Sequence, residues 1–342
     1  MKKTYIRFGV ALVLTVVFLF FFFRSVDWRD VLKYLKQVDP WIFLLTIGLG
    51  PVHLMTRGFR WRYLLVHEKK DVKFSNLFAA TAVGFTVTLI FPGRLGEIVK
   101  PLYLARKENI RKGFAIGTVV VERMFDMFTM CFLLGLFLLA RPLHGSLLSA
   151  GEEAYSSLYL WGIVGLAFAS ALLVFSLGLY FFREKTLRVV TFFLRPFPQK
   201  FRHRVLTLSE EFIEGLKFFH SLKTLLLYTA FSFVVWLGII FFYWVSFHAF
   251  RISIPYFLLF PYVFLTMVGA SIPTPGMVGG FHYFSKLGLT LLYGIDPDRA
   301  VGVTIVVHAV QLVMTCLIGY AILWKEGMSL FQLKKLGEEA QE

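Results

Sequence analysis

Phe91-Pro92-Gly93-Arg94-Leu95-Gly96-Glu97 and Ile272-Pro273-Thr274-Pro275-Gly276-Met277-Val278-Gly279-Gly280 break two apolar segments in opposite halves of a chain that otherwise reads almost wholly as membrane helix. Proline removes a backbone donor and clashes with the preceding turn, and glycine admits left-handed backbone, so a helix stops at each stretch. Interruptions at corresponding places in two halves expose backbone groups and helix-dipole ends near the membrane midplane, which is the sequence pointer to a transporter site. The expected fold is all-α, a polytopic integral membrane protein.

Composition carries the same message. Of 342 residues 57% are hydrophobic and 18% aromatic, including 40 phenylalanines, far from the balance of a soluble domain. Cys131 and Cys316 sit in apolar stretches without metal-ligand or redox spacing, so neither a metal site nor a disulfide framework is expected. The net charge of +15 falls in short basic clusters beside apolar runs, the pattern of cytoplasmic membrane loops. The expected partners are membrane lipids, anionic ones above all, rather than nucleic acid.

Runs long enough to span, roughly 20 residues, occur at 7–23, 41–56, 115–140, 158–182, 225–247 and 300–324, giving six spans. The first follows Lys2 and Lys3, but residues 18–23 are all apolar and bulky with no small-residue cleavage site, so it reads as a retained helix. The broken segments lie at 74–104 and 255–293. Each is either two full helices or one re-entrant hairpin.

Charge favours hairpins. With Lys2, Lys3 and Arg7 placed inside, the second span returns to the cytoplasm at Arg57, Arg60, Arg62, Lys69, Lys70 and Lys73. The first broken segment ends at the basic Arg106, Lys107, Arg111 and Lys112, so it enters and leaves on that same side. The loop with Glu152 and Glu153 is then external, and the basic 183–223 linker is cytoplasmic. The second broken segment starts near Arg251 and ends near Asp296, Asp298 and Arg299, so it dips in from outside. Both termini are expected in the cytoplasm of a multi-pass protein of the cell (inner) membrane. Helical spacing of Trp28, Val31, Leu32, Leu35 and Val38 marks 24–39 as a surface helix, and Val205, Leu208, Phe212, Leu216 and Phe219 read the same way within the linker. Either piece also fits a plain connector.

One membrane domain results, with a first half at 41–140, a second at 225–324, and the two arranged as an inverted repeat that brings the hairpin tips together. Eight ordinary spans are the competing arrangement.

Charges at membrane depth cost about 3 kcal/mol each and are functional candidates. Arg94, Glu97 and Lys100 belong to the first hairpin, where the fork of Arg94 and free amides at the restarted helix suit a phosphodiester. An Arg94–Glu97 ion pair that closes the hairpin is the plainer reading. Glu122, Arg123 and Asp126 share one helical stripe, with Arg123 able to neutralise one acid and the other left for a cation, a proton or Arg94. Snorkelling near the cytoplasmic mouth is the alternative. His282 is the first titratable group after the second break, and His308, with Gln311 nearby, could face the same cavity. Packing histidines are the bland alternative. Pro92, Gly93, Gly96, Pro273, Pro275, Gly276, Gly279 and Gly280 set the broken backbone, with Gly93, Gly96, Gly276 and Gly279 as hinges. Walker, dinucleotide, zincin and G-x-S-x-G motifs are absent, so no ATP-driven pump and no cofactor are expected.

Pro92-Gly93-Arg94-Leu95-Gly96-Glu97, Glu122-Arg123 with Asp126, and Pro273-Thr274-Pro275-Gly276 with Gly279 together resemble the lysylphosphatidylglycerol synthase transmembrane, or flippase-like, family. It includes the membrane part of the multiple peptide resistance factor. The likeness runs over roughly residues 8–324, and Arg57-Gly58-Phe59-Arg60-Trp61 looks like the family's basic loop. It implies a protein that moves a lipid or lipid-linked headgroup between leaflets, with no enzyme activity of its own. Three departures bear on lipid choice: Lys100 stands where arginine is common, His282 aligns with a glutamate, and Met277 replaces a frequent glycine. Only residues 325–342 follow the last span, so the soluble aminoacyl-transfer domain is expected to be absent. A membrane-embedded enzyme acting on lipid or polyprenyl phosphates through Glu97 or His282, and a helper of a lipid-synthesis enzyme, are the competing functions.

Overall fold

Asp39 opens the first described helix: its Oδ1 accepts from Trp41 N at 3.0 Å and Ile42 N at 3.1 Å, and Pro40 occupies the first helical position. The same device, Asp296 before Pro297, starts the last long helix. The protein is described by a computed structural model covering residues 36, 38–91, 94–140, 152–216, 221–329 and 332–333. The span expected at 7–23, most of the surface helix expected at 24–39, Pro92 and Gly93 lie outside the described residues.

Eleven α-helices and no strand occur among the described residues: α1 (Pro40–Leu65), α2 (Phe74–Ile90), α3 (Gly96–Glu108), α4 (Lys112–Leu139), α5 (Glu152–Phe181), α6 (Arg183–Phe193), α7 (Gln199–Gly215), α8 (Leu222–Ala249), α9 (Phe260–Ser271), α10 (Gly280–Tyr293) and α11 (Pro297–Lys325). Among the described residues four stretches are long and apolar enough to cross a membrane: α1, Leu158–Phe181 within α5, α8 and α11. Each matches an expected span. α4 has the length, 28 residues, but carries Glu122, Arg123 and Asp126 along it.

The two broken segments are helical hairpins. α2 packs along α3, and α9 along α10. At 1.5 Å per residue their arms run to about 26, 20, 18 and 21 Å, each short of the ~30 Å hydrocarbon layer. A Cβ on Gly96 would stand 1.8 Å from the carbonyl oxygen of Gly84, and one on Gly280 would stand 2.4 Å from that of Gly269. Both hairpins thus cross at a pair of glycines, and Gly96, expected from the sequence to be a hinge, is a close-contact residue at a helix start. Positive-φ backbone occurs at Arg94 (φ 54°) in the first break and at Gly276 (φ 63°), Met277 (φ 56°) and Gly279 (φ 95°) in the second.

Two apolar clusters form the core, one around each hairpin. Trp61, Leu64, Val83, Val99 and Tyr228 belong to the first; Phe137, Ile240, Tyr262, Phe281 and Val303 belong to the second. α1, α4, α8 and α11 each contribute to both clusters from opposite ends, so the hairpins sit at opposite ends of these four helices. At the first hairpin's end the basic loops are knitted together by Lys69–Glu108 (2.6 Å), Lys107–Glu326 (2.8 Å) and the bond from Arg111 Nε to Glu68 Oε1 (2.8 Å), with Arg111 also paired to Glu214. α7 packs against α4, its Glu211 Oε2 accepting from Gly113 N at 2.7 Å, so this part of the basic linker is a docked helix. α5, in contrast, packs mainly on α4 and leaves Trp161, Ile163, Val164 and Phe168 about half exposed.

Candidate functional site

Arg57, Arg60, Trp61 and Leu64 follow one another at the i, i+3, i+4, i+7 spacing of a helix face, and the face is buried. The sequence reading ended the span at residue 56 and put these arginines in a cytoplasmic loop. The structure corrects this: α1 continues to Leu65, and Arg60 has no exposed surface. A buried guanidinium demands acceptors. Arg60 Nη1 donates to Asp126 Oδ1 at 2.6 Å and Nη2 to Glu122 Oε1 at 3.1 Å, while its ring neighbour is Tyr228.

Three more cations share those two carboxylates. Lys100 Nζ donates to Glu122 Oε2 at 2.6 Å and lies 4.3 Å from the centre of the Trp61 ring. Arg123 Nη2 stands 3.3 Å from Glu122 Oε1 and 3.2 Å from Asp126 Oδ2. Arg57 Nη1 is 3.5 Å from Asp126 Oδ2 and 3.8 Å from Glu122 Oε1, with no hydrogen bond at that nitrogen. Trp236 Nε1 donates to Asp126 Oδ1 at 3.0 Å. The stripe on α4 is thus an inter-helix charge network joining α1, α3, α4 and α8. Glu122 lies about 15 Å from the start of α4, and with Glu122 wholly buried and Asp126 only 3% exposed, snorkelling does not account for them.

Arg94 is not part of that network. Its Nη1 donates to Glu97 Oε1 at 3.1 Å, the pair the plainer reading named, and its Nη2 donates to the carbonyl of Ala270 at 2.6 Å. Since Ala270 lies in the last turn of α9, the tip of one hairpin is bonded to the tip of the other. His282 and His308 also meet. Gly279 N donates to His282 Nδ1 at 3.3 Å, which leaves that ring's proton on Nε2, 3.3 Å from His308 Nδ1. Both rings are neutral in this arrangement and tie α10 to α11.

A cavity of about 630 Å³ lies between the hairpin tips. One part of its wall is polar, with Arg57, Arg94, Lys100, Arg123, Glu97 and Asp126; the rest is apolar, with Phe264 and Met267 on α9 and Trp161, Val164 and Phe168 on the exposed helix α5. His308 also lines it, whereas His282 stands behind His308. Pro273, Thr274 and Pro275 form the second break beside it. Arg57 and Arg60 are the site residues that sequence reasoning missed, although their spacing with Trp61 and Leu64 was the signal. Among the described residues no group of three or more His, Cys, Asp or Glu could hold a metal ion.

An all-helical membrane protein with two broken hairpins around a charged, laterally apolar cavity is the class these observations define. The chain belongs to the family described as the lysylphosphatidylglycerol synthase TM region, whose model matches residues 8–319. It is similar to a UPF0104 membrane protein of Methanocaldococcus jannaschii, 26% identical over 143 residues that make up 40% of this chain and 43% of that protein. It is also similar to the glycosyltransferase AglD of Haloferax volcanii, 29% identical over 136 residues, 40% of this chain and 22% of that protein. The match thus spans less than half the length of either relative.

Proposed function

We propose that the protein is a lipid flippase or scramblase that passes a phosphate-bearing headgroup through the cavity while the acyl chains stay in the bilayer. The observation that carries this reading is the two-part wall: cations at one side, and on the other the apolar face of α5, whose Trp161, Val164 and Phe168 are about half exposed. An amphiphile needs both, because its phosphate must be paired out of water and its chains must never leave an apolar surface. A soluble anion would need only the first.

In this reading six spans and two re-entrant hairpins form an inverted repeat. Hairpin arms too short to cross, their placement at opposite ends of the four long helices, and the gathering of basic loops at one end support it. The basic end is cytoplasmic. Alternating exposure would come from the left-handed turns at Gly276 and Gly279 and from the Arg94–Ala270 bond, which opens or closes the tips. Arg94, Arg57, Lys100 and Arg123 bind phosphate, and Glu97, Glu122 and Asp126 hold those cations apart and in place.

Leaflet exchange of fluorescent phospholipids in protein-only liposomes tests the reading. The wild type should exchange lipid quickly and Arg94→Ala much more slowly, because the alanine removes both a phosphate ligand and the bond between tips. Absence of exchange from correctly folded wild type over a broad lipid panel would overturn the proposal. Chemical turnover of a lipid phosphate, dependent on Glu97 or His282, would replace it with an enzyme.

A further inference from the structure

Among the described residues, the charged groups around the cavity do not balance. Arg57, Arg60, Arg94, Lys100 and Arg123 bring five positive charges, and Glu97, Glu122 and Asp126 bring three negative ones, so the set carries +2. The groups on the wall itself give the same result: Arg57, Arg94, Lys100 and Arg123 face Glu97 and Asp126. The nearby imidazoles add no charge. His53 Nε2 accepts from Arg57 Nε at 2.9 Å, and His282 and His308 each accept a hydrogen bond, so all three are held neutral. Arg94 and Arg123 keep about a third of their side chains exposed, but part of the surplus is buried. Arg57 is 5% exposed, lines the cavity, and its Nη1 makes no hydrogen bond; Arg123 Nε is likewise buried without a partner. Buried guanidinium nitrogens without acceptors are costly unless an anion completes them.

We infer that the site selects a headgroup bearing two negative charges, a lipid phosphomonoester, over singly charged phosphodiesters and zwitterions. The inference rests on the flippase reading for the lipid part of its ligand. A monoester dianion neutralises the +2 and offers three terminal oxygens to Arg57, Arg94 and Arg123. A phosphodiester leaves one cation uncompensated and offers two such oxygens. A zwitterion also brings a cation into a wall that already has too many.

Binding of dioleoyl phosphatidic acid, phosphatidylglycerol and phosphatidylcholine to the purified full chain in detergent at pH 8 measures this. Phosphatidic acid should bind roughly tenfold or more tightly than either of the others, the step expected for one further charge pair in a partly screened site. Arg57→Gln, which lowers the wall to +1, should abolish the margin over phosphatidylglycerol. Should that variant not fold, Arg123→Gln, at a side chain 33% exposed, makes the same change in charge. Phosphatidylglycerol binding as tightly as phosphatidic acid in the wild type would overturn the inference. Inorganic phosphate that displaces phosphatidic acid at equal concentration would overturn the lipid as its source. Fast leaflet exchange with no preference among headgroups would sink this inference and leave the flippase reading standing. A clear binding preference without any exchange would do the reverse.

Discussion

Arg60 shows what a single side chain contributes here. It bridges Glu122 and Asp126 from a position with no exposed surface, and removing it leaves two buried carboxylates short of a partner. Arg60→Met should therefore cost about 3–5 kcal/mol, read as a large drop in melting temperature in detergent; an unchanged melting temperature would contradict the network. Glu108 gives the pH dependence. Burial alone would raise its carboxyl, but bonds from Lys69 Nζ, Asn76 Nδ2 and Lys73 N hold it below its ordinary value of 4.5. A carboxylate depressed in the folded state adds stability that is present above that value and is lost as pH falls through the lower, folded one. Wild type should lose stability on acidification below about pH 4.5, and Glu108→Gln should start less stable and lose less over that window. At this scale the sequence was partly readable. Arg94–Glu97 is local and was visible, whereas Lys100–Glu122 and His282–His308 join residues 22 and 26 apart and depend on how the helices pack.

Helices and hairpins were more legible than their partners, because proline, glycine and apolar run length act locally. Both breaks fell where the prolines and glycines stand, and four expected spans correspond to long apolar helices. The end of α1 was misplaced because charge was taken as a sign of the loop; Arg57 and Arg60 are helical and buried because acids on α4 receive them. The docking of α7 on α4 was equally out of reach, since an amphipathic face looks the same on a membrane as on another helix. The hairpin crossing makes a sharp prediction. Gly96→Ala would drive a methyl into the Gly84 carbonyl, while Gly48, with nothing within 4 Å of a Cβ, has room. Folded yield by size-exclusion chromatography should collapse for Gly96→Ala and hold for Gly48→Ala. Equal yields would show that α2 and α3 do not cross as described.

Across the whole molecule, the two hairpins and the four helices that run between their clusters distinguish two ends, and the proposed orientation puts the end that gathers the basic loops in the cytoplasm. In a background with Cys131 and Cys316 replaced by alanine, Lys185→Cys should react with an impermeant maleimide only after the cytoplasmic face is opened. Ser253→Cys, exposed at the opposite end, should react from outside intact cells. The reverse pattern would invert the orientation. On the proposed flippase reading lipid passes through the cavity beside α5, and the molecule offers a reversible lock for that passage. A Cβ at Gly165 on α5 would stand 2.8 Å from Cys131 Sγ on α4, within reach of a disulfide after a small side-chain adjustment. The measurement is leaflet exchange in protein-only liposomes carrying Gly165→Cys, oxidised and then reduced. The account predicts exchange that stops when residues 131 and 165 are joined and returns with reductant. Full exchange with the bond shown to be formed would place the lipid path elsewhere and contradict it.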